Sequence, residues 1–520
     1  MRLQLFSPET LVLSLILASL STAILLNMWR ANAPPYSAIM AVALSTMVDM
    51  ASSSPDLGWY KPNATDINDL SVVINGTGVF GFQFQPVTPP SLPPTTYNWC
   101  NMPRVNPETY DPAPDGFKLE YVEVIHRHHK RTPYADNTFP HETYVWDCDD
   151  ERMTYAGVPL PDGQAVNVAW NVYTSPANPL VPSGFNGTCR FPQITADGLG
   201  DSREHGKDLF AVYHDKLGFL PSNYDESRVS YRVTNNVITS QVASQLILGM
   251  YPDTVRAPAS RVNVLIQPYT VDSLEPGYTC SAASTLYASY GVDSSAANWT
   301  AHLNESAALF AKLDSISGIS SSSSAWHRSF DHYFDNLSAR LCHNKALPCN
   351  SSSSYGCVTQ ADADAVFRAG QYEYSFIHRD SPDSLAASTA SYGVWAAELS
   401  ANLKAAQAGT SPFLYRHNVA HDGSVSRLLS ILQIDVMVWP GMGSEVVFEL
   451  YSTTTSSRKG RSWRRDTSNQ QWFIRVLFGG QVLRSSNPSL GYLDFVPVSV
   501  LTDYIDGLVG VGAANVPELC

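Results

Sequence analysis

The sequence predicts an α/β protein interrupted by a mostly helical insertion. Two observations predict it. Short runs rich in β-branched and aromatic residues, followed by polar turns and helix-periodic segments, occur on both sides of the chain's middle. Between them, residues 256–408 change texture, with alanine-rich helical stretches alternating with serine runs such as "SSSSSAW" and "CNSSSSYGC". The expected organisation is therefore a leader over 1–54, a first α/β part over 55–255, the insertion over 256–408, and a second α/β part over 409–520.

The elements follow in order. "LVLSLILASLSTAILLNMW", Leu11 to Trp29, is an apolar run flanked by Arg2 and Arg30. It is near the minimum for a spanning helix and reads as a cleaved signal peptide or a signal anchor. A second apolar run, Ala38 to Met47, blurs its end. Gly76, Gly78 and Gly81 form a G-x-G-x-x-G, but the proline-rich "QPVTPPSLPP" follows instead of a helix. Nucleotide binding is not expected there, because the motif needs a helix N-terminus behind it. "KLEYVEVI" from Lys118 is a strand. "DGLGDSREHGKDLFAVYHDKLGF" is a turn and an amphipathic helix with Leu209, Val212, Tyr213 and Leu217 on one face. "RVSYRVTNN" is a second strand, and "VITSQVASQLILGMYP" a helix packing through Val237, Val242, Leu246 and Met250. After the insertion come the strand "SPFLYRHNVA", the helix "SVSRLLSILQI", and the strand pair "EVVFELY" and "QWFIRVLF". The basic loop "SSRKGRSWRRD" joins that pair, as a charged hairpin tip or, less in keeping with its place, a processing site.

Composition narrows the partners. A formal net charge of −14 over 520 residues disfavours nucleic acid, so any positive cluster is a local device. Eight cysteines without a CxxC pair, and seven sequons at Asn63, Asn75, Asn186, Asn298, Asn304, Asn336 and Asn350, point to an oxidising lumen or secretion. N-linked glycans are expected at some of these asparagines. The cysteine pairing is left open.

Two turns carry the chemistry. "HRHHKRTP", His126 to Pro133, follows the first strand, and "AHDGSVS" places His421 and Asp422 between a strand and a helix. In open α/β sheets ligands bind beyond the carboxyl ends of strands, where helix N-termini favour anions. Arginine forks match phosphoryl oxygens, so Arg127 and Arg131 are candidate clamps. A neutral His128 is a candidate nucleophile, Asp422 a candidate proton donor, and His421 a donor to a phosphoryl oxygen. The bland readings are weaker. A metal site built from His126, His128, His129, His417 and His421 lacks the glutamate of H-E-x-x-H and stands among Arg127, Lys130 and Arg131. A purely structural basic turn leaves two matched turns as coincidence.

"RHHKRTP" resembles the R-H-G-x-R-x-P signature of the histidine acid phosphatase family, branch 2 of the histidine phosphatase superfamily. "HD" at His421–Asp422 resembles that family's second motif, and "ELY" at Glu449 to Tyr451 its common triplet. The resemblance runs in order from about Asp56 to the C-terminus. It implies a phosphoglycerate-mutase-like three-layer α/β domain with a helical cap inserted between the motifs. It also implies phosphate binding by Arg127, Arg131 and His421, a phosphohistidine on His128, proton donation by Asp422, a small phosphomonoester substrate, and no metal or organic cofactor. Three positions depart from the pattern. His129 stands where the motif has glycine, and Lys130 at a frequently acidic position; both are candidate auxiliary groups. The third arginine, expected before a threonine, is Ile238 ahead of Thr239, with Arg232 six residues upstream. The implied activity is phosphomonoester hydrolysis, with reduced efficiency. A phosphate-binding relative without turnover is the alternative, and a metal-dependent hydrolase the lesser one.

Overall fold

The computed structural model describes residues 54–62, 96–155, 168–252, 262–453 and 470–520, except 143, 174, 176, 182 and 183. The leader's apolar runs, the G-x-G-x-x-G, the sequons Asn63 and Asn75 and the basic loop lie outside the described residues.

Eight strands form one mixed sheet: β1 (Phe117–Arg127), β2 (Val229–Val233), β3 (Val264–Leu265), β4 (Tyr415–Ala420), β5 (Glu445–Thr453), β6 (Gln471–Phe478), β7 (Gln481–Val482) and β8 (Val496–Pro497). Their order is β8-β6-β5-β1-β4-β2-β3, with β7 beside β6. The half containing β1, β4, β2 and β3 is parallel, and β1, β5, β6 and β8 pair antiparallel. β1 and β4 lie next to each other although the chain leaves the sheet for a long excursion between them. Parallel neighbours require such a crossover.

The period of two along β1 splits its side chains between two cores. Tyr121 and Ile125 face a core shared with helices α8 (Ser384–Gln407), α9 (Asp422–Ile431) and α10 (Val498–Val509). Val122 and Val124 face α1 (Ala196–Phe210) and α2 (Val237–Met250). The result is helix, sheet, helix in three layers. α1 begins at Ala196, capped by Thr195, which accepts a hydrogen bond from the Gly198 amide. It runs on as a π-turn over Ala211–Lys216, and the expected apolar face is present: Leu209, Val212 and Tyr213 are buried and Leu217 is partly so. α1 and α2 approach through Gly206, where a Cβ would sit 2.1 Å from the Leu246 carbonyl oxygen, so any larger residue forces the helices apart.

Helices α3 (Ser281–Tyr290), α4 (Ala297–Glu305), α5 (Ala307–Ser317), α6 (Asp331–Cys342) and α7 (Gln360–Ser375) precede α8. α5, α6 and α7 gather around a further core of Phe310, Phe330, Phe334 and Phe367, which takes in Trp99, Trp439 and Met442. α7 opens with a full capping box between Thr359 and Asp362. α8 packs on the sheet, its Tyr392, Trp395, Leu399 and Leu403 sharing the core of β1 and α9.

All eight cysteines pair: Cys100–Cys342, Cys148–Cys189, Cys280–Cys520 and Cys349–Cys357. Asn336 is a correction to the sequon set. It is fully buried on α6, its amide donating to the Asn137 carbonyl oxygen and its oxygen accepting from Arg340, so no glycan fits there in the folded chain. Asn186, Asn298 and Asn304 are exposed and Asn350 partly so. Among the described residues no helix is long and apolar enough to cross a membrane.

Candidate active site

Strand register assembles the site. β1 and β4 end together, Arg127 pairing with Ala420. The residues that follow, His128 and His421, therefore emerge side by side, with ring centroids 5.5 Å apart. The turn after β1 is pinned on both flanks: the His128 amide donates to the Ala420 carbonyl (3.0 Å), the Arg127 amide to the Ser444 carbonyl (2.9 Å), and the Gly443 amide to the His128 carbonyl (3.1 Å). His421 is the N-cap of α9 and Asp422 its first residue, so both stand at the positive end of the helix dipole.

His128 is almost completely buried. Its Nδ1 lies 2.9 Å from the His129 carbonyl oxygen. The tautomer that donates there leaves Nε2 with a lone pair, the form a nucleophile needs. Burial, then the charges of Arg131 and Arg127, hold its pKa well below the ordinary imidazole value. Arg127 reaches Asp422 Oδ2 at 3.3 Å, donates to the Pro440 carbonyl at 2.6 Å and lies 4.7 Å over the Trp99 ring. Asp422, its side chain 23% exposed, also accepts from the Trp439 indole at 2.6 Å. Burial alone pushes its pKa up, but Arg127 and the indole outweigh that and hold it below the usual carboxylate range.

Arg131 donates to Asp335 Oδ1 on α6 at 2.8 Å and lies 4.2 Å over the Tyr134 ring. The second oxygen of Asp335 accepts from the Tyr134 amide and the Asn137 side chain. With five N–H donors, a guanidinium held this way keeps further donors for an anion. His421 Nε2 lies 2.9 Å from Thr234 Oγ1 and 3.6 Å from Glu275 Oε2. Burial raises the pKa of Glu275, but its bonds to His421 and Thr234 win and hold it below its usual value.

Arg127, His128, Arg131, His421 and Asp422 thus share one region, while the two auxiliary candidates are engaged elsewhere. The His129 imidazole is buried against His205, 3.1 Å away, in space left by Gly443, where a Cβ would meet it at 2.3 Å. Lys130 pairs with Asp201 at 2.9 Å. Ile238 is fully buried in the core of α1 and α2, so its side chain belongs to the packing. Arg232 is bound by Glu398, Asp272, Gln267 and Ser273 on a different part of β2. It does not replace the missing arginine.

Sequence reasoning missed Thr234, Trp439, Asp335 and Glu275. Thr234 had a usable signal, since it sits just past the carboxyl end of β2, where the rule for strand ends points. Asp335 and Glu275 are carboxylates far away in the chain, and nothing local marks them.

No family model matches the chain. Among curated proteins, it is 24% identical over 394 residues to "Counting factor 60" of Dictyostelium discoideum, covering 74% of this chain and 84% of that protein. It is 24% identical over 178 residues to a protein named "Probable acid phosphatase" of the same organism, covering 33% of this chain and 32% of that one, so it spans about a third of that relative's length. Among solved structures, the Hafnia alvei phytase apo form aligns at 12% identity with a TM-score of 0.49, over 77% of this chain and 99% of that one. The Klebsiella sp ASR1 phytase aligns at 17% and 0.47, over 78% and 98%. Two motif-bearing turns thus meet at neighbouring strand ends, and the chain is similar at low identity to a protein that bears the acid phosphatase name.

Proposed function

We propose that this protein hydrolyses small phosphomonoesters through a phosphohistidine. The observation that carries the reading is the register of β1 and β4, which sets His128 beside His421 and Arg127 beside Asp422. Arg127, Arg131 and His421 bind the phosphoryl oxygens. His128 Nε2 attacks phosphorus, the ester O–P bond breaks, and the departing alkoxide takes its proton from the Asp422 carboxyl. Water then attacks the phosphohistidine and releases inorganic phosphate. In the free protein Asp422 is held ionised by Arg127. A bound phosphate dianion draws on the same guanidinium and adds negative charge, and both effects raise the carboxyl's hold on a proton.

Ile238 favours a second reading, a protein that binds phosphate esters without turning them over, because the arginine expected there is replaced by core packing. Losing one charge-stabilising donor typically costs about 10²–10³ in rate, so weakened catalysis is the expected consequence. The test is hydrolysis of a phosphomonoester from acidic to neutral pH, with and without a brief chelator exposure, beside His128→Ala. Chelator-resistant turnover that vanishes in the variant supports the enzyme. Equal, negligible rates in both proteins, with phosphate affinity retained, support the binder. Immediate loss with chelator overturns both in favour of metal-dependent hydrolysis.

The setting proposed with this function is a secretory lumen or the cell exterior. Four disulfides fit an oxidising compartment. Glycans are proposed at exposed Asn186, Asn298 and Asn304. A glycosidase-dependent mobility shift of the secreted protein tests them.

A further inference from the structure

Behind the His128 turn lies a second polar cluster that the phosphohistidine chemistry does not use. His126, His129, His205, His417 and Glu445 are all fully buried and meet beside the core of α1 and α2. The His126 ring centroid stands 4.7 Å from that of His205 and 4.9 Å from that of His417. Buried imidazole nitrogens are normally hydrogen-bonded. Here His126 Nε2, His129 Nδ1 and His417 Nε2 have no partner.

The tautomers are arranged to expose lone pairs. His126 Nδ1 lies 2.7 Å from the Arg127 carbonyl oxygen, so the proton sits on Nδ1 and Nε2 is bare. His205 Nε2 lies 2.8 Å from Glu445 Oε2, and the tautomer that donates there leaves Nδ1 as an acceptor. A carboxylate gripping the far nitrogen of an imidazole is the arrangement that orients histidines around metal ions. One ligand nitrogen from each of His126, His129 and His205 falls within 4.8 Å of the others. His129 Nε2 and His205 Nδ1 are 3.1 Å apart. Two imidazole nitrogens on a tetrahedral zinc at about 2.0–2.1 Å stand roughly 3.3 Å apart. His129 and His205 therefore already stand near that spacing, and His126 closes the set from within 4.8 Å.

From this geometry we propose that His126, His129 and His205 form a structural site for a late first-row divalent cation such as zinc, with Glu445 as the partner that orients His205. Neutral imidazole donors suit such ions better than calcium or magnesium, which prefer oxygen. The neighbouring cations are neutralised: Arg104 pairs with Asp208 at 2.8 Å and Lys130 with Asp201 at 2.9 Å. A hydrogen-bond chain from His129 through His205 to Glu445 explains one contact without a metal, but it leaves His126 Nε2 and His417 Nε2 orphaned. Because the site is enclosed, its role is to tie the turn after β1 to α1, and it takes no part in the attack on phosphorus.

The experiment measures metal in the purified full chain by mass spectrometry after dialysis against a weak chelator, then adds Co²⁺ to protein stripped with a strong one. About one zinc per chain, a tetrahedral Co²⁺ absorption band, and a Tm that falls on stripping and returns with zinc support the site. His205→Gln and His126→Gln must each remove the retained metal while leaving the disulfides formed. No retained metal together with no cobalt band in the wild-type chain overturns the proposal, whatever the variants do. Metal retained undiminished in both variants also overturns it, by placing the ion elsewhere. The phosphomonoesterase reading stands or falls separately, through His128→Ala.

Discussion

The two sides of the turn after β1 hold the same kind of residue in different surroundings. In front, His128 and His421 stand with Arg127, Arg131 and Asp422, whose charges suit an arriving anion. Behind, His126, His129, His205 and His417 are sealed in with one acidic side chain, and His126, His129 and His417 each keep a ring nitrogen without a partner. Imidazole is common to both sides and cannot decide their roles. The charge of the neighbours does: guanidinium groups call for an anion, and neutral rings backed by a carboxylate call for a cation.

Exchanging the consequences of mutation across the turn is the sharpest way to break this comparison. His128→Ala is expected to lower turnover by on the order of 10⁴-fold or more with little change in Tm, whereas His205→Ala lowers Tm and spares turnover. Parallel rate and melting measurements check both, and a turnover loss in His205→Ala at temperatures where it is folded would merge the two regions into one. Asp422→Asn is expected next, with turnover down about 10²–10⁴-fold and inorganic phosphate still bound, since it removes the proton donor and keeps the clamp. Titration of phosphate beside the kinetic assay reads it, and lost phosphate binding would count against the donor role.

Ile238→Arg tests whether the missing arginine can be put back. Because Ile238 faces the α1–α2 core, the substitution buries an unpaired charge and should destabilise by about 3 kcal/mol without raising activity, as denaturant unfolding would register. The smallest effect is in the pH profile. Asp422 must be protonated to donate, and in the free protein its pKa is lowered. kcat/KM should therefore fall as pH rises from the acidic end, by at most about tenfold per unit. Burial and the charges of Arg131 and Arg127 hold His128 well below the ordinary imidazole value, so no limb is expected there.

Much of this was legible in the chain itself, for stated reasons. β1 is a short run rich in β-branched and aromatic residues, β4 a short run before a polar turn, and α9 carries Val425, Leu428, Leu429 and Leu432 at helical spacing, so both turns are legible at strand ends. The direction of His129 was not legible, because it depends on the space at Gly443, in another strand's approach. Asn336 matches a sequon, but its burial comes from the packing of α6 against Asn137. Asp335 and Glu275 reach the site only through tertiary structure. α1 starts at Ala196, inside what composition marks as a turn, because Thr195 caps it there despite the two glycines in its first turns.

The pairing of Arg127 with Ala420 also bears on how the protein comes to life. Strands so remote in sequence cannot meet until the intervening chain has been gathered, and such pairings are slow. Two disulfides, with separations of 242 and 240 residues, span much of the same excursion and shorten the search once they close. Helices and local hairpins can form early, but His128 has no His421 beside it until the sheet's centre zips. Regained turnover after unfolding is thus a late signal, behind the return of helical signal by circular dichroism, and reduction of those two bridges should widen the gap.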